Sequence, residues 1–186
     1  MPLPPLLSLL TGGDRRSIGK SPVVVGRVLR EPKLLQVLVQ GLSAADPLVR
    51  MRAADALEKV SVPLRAQLQR FVPRLLGRAR CASEQELQWH LTQILPRLVL
   101  SSSQRAAARR IFRRYLASPS SIVQAMALEG LVELTPASPA GRRAAARLLS
   151  QASRSPRAAV RARARRLVTA IGRESRDARR VPHGTG

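Results

Sequence analysis

The chain has 186 residues, of which 45% are hydrophobic but only 2% aromatic, and its formal net charge is +22. That length suits one domain, and a core restricted to Leu, Val, Ile and Ala suits close helix packing better than a β-sandwich, whose strands favour aromatic and β-branched residues. The single cysteine, Cys81, excludes an internal disulfide and a four-cysteine zinc site, and His90 and His183 stand too far apart in sequence to suggest a metal site.

At the start, MPLPPLLSLL is apolar but has no basic region before it and no small-residue cleavage signal. It is far short of the ~20 residues that span a bilayer, so a soluble cytoplasmic protein is expected. Leu6 to Leu10 and Val23 to Leu29 read as two short helices around a loop from Thr11 to Gly19. Within that loop, Gly12-Gly13-Asp14-Arg15-Arg16 has the composition of an anion-binding turn. No strand precedes it and the P-loop spacing is missing, so a capped turn is the better reading. Residues 1–30 keep no register with the rest of the chain and are expected to cap the exposed end of a helical stack.

From residue 31 the sequence repeats with a period near 37. Val49, Leu87, Val123 and Val160 are successive anchors, separated by 38, 36 and 37 residues. Four positions after each come Ala53, Leu91, Ala127 and Ala164; eight after, Leu57, Leu95, Leu131 and Val168; eleven after, Val60, Leu98, Leu134 and Ile171. Those offsets fall on one stripe of a 3.6-residue helix. Upstream of each anchor lies an apolar pair: Val37-Leu38, Leu75-Leu76, Ile111-Phe112 or Leu148-Leu149. Each unit therefore reads as a first helix, a turn and a second helix. First helices are predicted at 31–42, 64–79, 103–117 and 139–152, and second helices at 46–60, 84–98, 120–134 and 156–172.

Helix starts are signalled by Asp46-Pro47, Ser118-Pro119, Ser138-Pro139 and Ser155-Pro156, each an N-cap residue before proline. Ser83 and Glu86 have capping-box spacing. Pro73 and Pro96 fall inside helical segments and should kink them. Beyond Gly172 the chain turns polar, and residues 173–186 read as a flexible basic tail.

Asp46-Pro47-Leu48-Val49-Arg50, followed by Ala53-Ala54 and Leu57, resembles the second helix of a HEAT repeat. With GGDRRSIG, VRMRAADALEKV, QWHLTQILPRL and SSIVQAMAL, the chain resembles small bacterial HEAT-repeat proteins of the armadillo-type superhelix, a group without an assigned activity. The resemblance covers about residues 6–172 and implies an all-α solenoid of about four helix pairs serving as a binding scaffold. Arg50 and Arg161 match the repeat's arginine position, where Gln88 and Gln124 depart from it; the expected role is structural, pairing with a neighbouring helix or carbonyl. Some HEAT-like proteins are alkylpurine DNA glycosylases and others bilin lyases, which makes an enzyme the alternative reading. A glycosylase would need aromatics and a carboxylate gathered in a basic groove, and Asp55 and Glu129 are the only groove carboxylates available to nominate.

The charge carries the functional reading. Of 33 basic residues only Lys20, Lys33 and Lys59 are lysine, and 11 are acidic. A GC-rich coding bias explains Arg in place of Lys but not the shortage of acids, so a polyanionic partner is expected, nucleic acid ahead of an acidic protein surface. Arg74, Arg110 and Arg147 each stand immediately before the repeated apolar pair and should form a ladder on the first helices, joined by Arg109, Arg113 and Arg114 on nearby turns and by Arg165 and Arg166 in the fourth unit. The row six residues after each anchor is Asp55, Gln93, Glu129 and Arg166, mixed rather than basic. Trp89 is placed off the core stripe, on the exposed side of its helix, where an indole could anchor a partner; burial by an adjacent turn or by packing around Pro96 is the better reading. No catalytic residue, cofactor or metal ligand is assigned.

Overall fold

The computed structural model describes residues 3–14 and 17–180, with side chains as far as Arg173. Among the described residues there is no strand. The helices are α1 (Pro5–Ser8), α2 (Ser21–Arg30), α3 (Leu35–Gly41), α4 (Pro47–Val60), α5 (Arg65–Leu68), α6 (Val72–Cys81), α7 (Gln85–Ile94), α8 (Ser102–Tyr115), α9 (Ser121–Glu133), α10 (Pro139–Ser153) and α11 (Ala158–Arg180). Short 3-10 turns at Pro32–Leu34, Gln69–Phe71 and Leu95–Arg97 join or end them.

Side-chain caps open α4, α8, α9 and α10. Asp46 accepts the Leu48 amide at 2.8 Å with Pro47 as the first helical residue, and Ser138 accepts the Gly141 amide at 3.1 Å ahead of Pro139. Both satisfy donors that the first turn otherwise leaves unmet. Three expected starts shift. The N-cap of α9 is Ser120, not Ser118, whose hydroxyl instead takes the Ser120 amide. Ser155 likewise bonds the amide two residues on, at Arg157, so α11 begins at Ala158. Ser83 and Glu86 form no capping box: Glu84 is the N-cap of α7, and its carboxylate is held by Arg50 at 2.5 Å. The reciprocal box is at Ser101 and Gln104, opening α8.

Pro73 and Pro96 act as breaks. A proline removes one ladder donor and clashes with the turn before it, so the segment predicted as one helix over 64–79 is divided into α5, a 3-10 turn and α6, with Pro73 near the start of α6. Pro96 lies in the 3-10 turn that ends α7. The helix expected to stop at 172 continues through Arg180 as part of α11; residues 181–186 lie outside the described ones.

Two layers result. The second helices α2, α4, α7, α9 and α11 pack each against the next. The first helices α3, α6, α8 and α10 lie alongside, each paired with the second helix that comes after it. Anchor residues and their partners four, eight and eleven positions on are buried in the first three units. In the fourth, Val160 and Ala164 are buried but Val168 and Ile171 are 55% and 37% exposed, because α11 is the last member of its layer.

Candidate polyanion-binding face

Helix assignment exposes a segregation of charge. All 11 acidic residues lie outside α3, α5, α6, α8 and α10, while α5, α6, α8 and α10 carry 12 arginines. The described carboxylates sit in the N-terminal loop, at caps or on the second helices, and most are engaged. Asp55 accepts from Ser21 Oγ at 2.5 Å and Lys59 at 2.7 Å, Glu58 pairs with Arg97 at 2.6 Å, Glu84 with Arg50 at 2.5 Å, and Glu129 with Arg163 at 2.6 Å. Both carboxylates of the mixed row are paired with cations of the second helices, so Asp55 and Glu129 are not free groove carboxylates.

On the first-helix layer Arg74, Arg110, Arg113 and Arg147 are exposed, Arg109 is half-buried, and among the described residues none of the five forms an ion pair. Two of the three ladder residues border grooves between successive first helices. Arg74 lines a groove between α3 and α6 with Arg78, Gln40 and Ser43. Arg147 lines one between α8 and α10 with Arg109 and Arg113. Arg110 is exposed on α8.

Arg114 has a different task. Its Nη2 donates to the Arg80 carbonyl at 2.6 Å, and its guanidinium lies 5.7 Å from the centre of the Tyr115 ring. Arg165 and Arg166 are exposed, but on α11 in the other layer. Trp89 is not a free anchor. It is half-buried against the core, and its Nε1 donates to Nδ1 of the buried His90 at 3.2 Å. Desolvation on burial pushes the His90 imidazole down to about 4, against the charges of Asp55 and Glu58 that favour its protonated form.

Two features escaped the sequence reading. The absence of carboxylates from every first helix is written in the sequence, but it emerges only when the acids are sorted by the observed helix boundaries. Arg52 gave less warning: it is 2% exposed, and its guanidinium donates to the carbonyls of Leu10, Gly12, Asp14 and Ser17 at 2.7–3.0 Å. The glycine loop is therefore built around an internal cation. Gly19, at φ +53°, has no room for a side chain, since a Cβ there would lie 2.8 Å from Arg52 Cζ.

Among the described residues no three His, Cys, Asp or Glu side chains gather as a metal site, and no helix is long and apolar enough to cross a membrane. Comparison with protein families, curated proteins and solved structures found no match.

Proposed function

We propose that this chain is a non-catalytic, HEAT-type binding module whose first-helix face holds the phosphate backbone of a nucleic acid. The carrying observation is the sorting of charge: α5, α6, α8 and α10 carry 12 arginines and no carboxylate. Coding bias raises arginine everywhere; it does not sort acids onto one layer. Guanidinium forks match phosphate oxygens, and ladder positions that recur once per unit can track an extended polyanion. The face offers few groups placed to read base edges, so contacts to the backbone without sequence preference are expected. Scarce aromatics disfavour stacking on unpaired bases and favour a duplex. The HEAT-type assignment belongs with this reading and draws support from the paired-helix layers and from the side-chain contacts, repeated one position after each anchor, that close the turns.

Fluorescence anisotropy with a labelled duplex at several salt concentrations tests it. Log affinity should fall against log salt with a slope near −0.9 per phosphate neutralised. Replacing Arg74, Arg110 and Arg147 together with Gln should flatten that slope by up to ~3 and weaken unrelated sequences alike. Absence of binding to duplex DNA and RNA at low salt would remove the nucleic-acid reading and leave an acidic protein as the partner class.

A further inference from the structure

The groove between α8 and α10 encloses about 300 Å³. Arg109 and Arg113 enter it from α8, one helical turn apart on the same face, and Arg147 enters from α10. Like charges at that spacing oppose each other on a helix, and neither helix supplies a carboxylate to relieve them. The Nε of Arg109 is moreover buried without a hydrogen-bond acceptor. A buried donor with no partner is unfavourable, and an acceptor that reached it would offset that cost. The equivalent groove between α3 and α6 repeats the feature with fewer arginines: Arg74 holds the same ladder position as Arg147, and the Nε of its neighbour Arg78 is likewise buried and unmatched.

The shape of the arginine cluster selects the anion. Three guanidinium groups arriving from two helices suit a tetrahedral group with three or more acceptor oxygens better than a planar carboxylate, which one fork already satisfies. Leu131 and Leu148 supply an apolar wall beside the arginines, and Gln151 adds a neutral amide. That combination accommodates the carbon skeleton of an ester as well as its charge.

We propose that the α8–α10 groove is a seat for the phosphoryl group of a phosphate ester, bound by Arg109, Arg113 and Arg147. The proposal rests on the polyanion reading and narrows it to one site. Two sources share this chemistry, a phosphate of a nucleic-acid backbone and a phosphorylated small molecule.

The test uses the full chain and two probes: inorganic phosphate against chloride at equal ionic strength, read by calorimetry, and a labelled duplex, read by anisotropy. Arg109→Gln, Arg113→Gln and Arg147→Gln should each weaken phosphate binding about tenfold or more, while Arg154→Gln, exposed after the end of α10 and outside both the groove and the first helices, should bind as wild type does. Circular dichroism checks each fold, and if the half-buried Arg109 cannot be replaced, the exposed Arg113 and Arg147 carry the test. Phosphate binding lost in the groove variants together with duplex affinity supports a backbone phosphate in the seat. Phosphate binding lost while duplex affinity is unchanged or was never present supports the seat and makes a small phosphate ester its ligand. Equal response to phosphate and chloride, or an equal loss in Arg154→Gln, overturns the seat; duplex binding that persists in that case leaves the broader polyanion reading standing.

Discussion

Buried polar side chains show how this fold uses charge where it cannot solvate it. Arg52 keeps its guanidinium inside by enlisting four backbone carbonyls, which also fixes the N-terminal loop on α4. His90 takes the opposite course and stays neutral, accepting from Trp89 while burial holds its imidazole at about 4 instead of the ordinary 6.5. In the unfolded chain that imidazole takes up a proton near pH 6.5, whereas the folded chain resists until about pH 4. Above 6.5 both states are neutral and the contribution of His90 is complete; between the two values only the unfolded state gains the proton, so stability falls as pH falls. The loss by pH 4 is on the order of 3 kcal/mol. Urea denaturation between pH 4 and 7 should show wild type losing that much more than His90→Gln, in which the carboxylates titrate alike but no imidazole remains. Parallel curves for the two proteins would show that His90 is not held neutral.

At the scale of helices, each unit closes its turn in the same way through different residues. One position after each anchor, Arg50 donates to the carbonyls of Ala44 and Ala45, Gln88 to Ala82, Gln124 to Ser118, and Arg161 to Ser155 and Pro156, all at 2.7–2.9 Å. Gln has the reach and the N–H donor to replace Arg there, so the two glutamines that depart from the arginine pattern preserve its function. Each contact ties a second helix to the turn before it. The C-terminus of α6 is closed from the next unit instead: the buried Tyr115 hydroxyl donates to the Ala79 carbonyl, and Arg114 covers Arg80. Burial pushes the Tyr115 phenol up to about 12, opposed by the Arg114 charge, which keeps the hydroxyl protonated as a donor. Tyr115→Phe leaves the ring packed and removes only this bond, so it should destabilise by about 1–2 kcal/mol in chemical denaturation. A change within ~0.3 kcal/mol would show that the hydroxyl adds no net stability there.

For the whole molecule, the same nearest-neighbour packing makes stability uneven. One continuous core runs from Leu6 to Leu134, whereas the fourth unit adds a small cluster around Leu128, Leu149, Val160 and Ala164. With Val168 and Ile171 uncovered on α11, the fourth unit has less apolar contact to lose on opening. In an array stabilised by contacts between neighbours, an end unit opens without the rest. Hydrogen exchange should therefore give amides of α10 and α11 protection lower by about tenfold or more than those of α4, α7 and α9. Uniform protection would mean that the layers unfold as one block. The arginine groove between α8 and α10 lies at this more open end, so phosphate bound there should raise protection in α10 selectively.

The repeat made the helical architecture legible because burial on one face of a helix must recur every three to four residues, and a stack must repeat that demand in every unit. Val49, Leu87, Val123 and Val160 are buried as their spacing requires, and Asp46 and Ser138 cap the helices that the prolines beside them open, whereas the same Ser-Pro pair at 118 and 155 stops short of its helix. Ladder residues Arg74, Arg110 and Arg147 could be placed on the first helices by the same count. Tertiary structure decided what counting cannot: that Arg74 and Arg147 border grooves while Arg114 is tied to a neighbouring helix, that Trp89 turns inward to His90, and that Arg52 is enclosed by a loop some 35–42 residues away. The physical reason is range. Periodicity and capping act within a turn or two of helix, whereas the partner of a guanidinium or an indole is set by whichever distant segment the fold brings beside it.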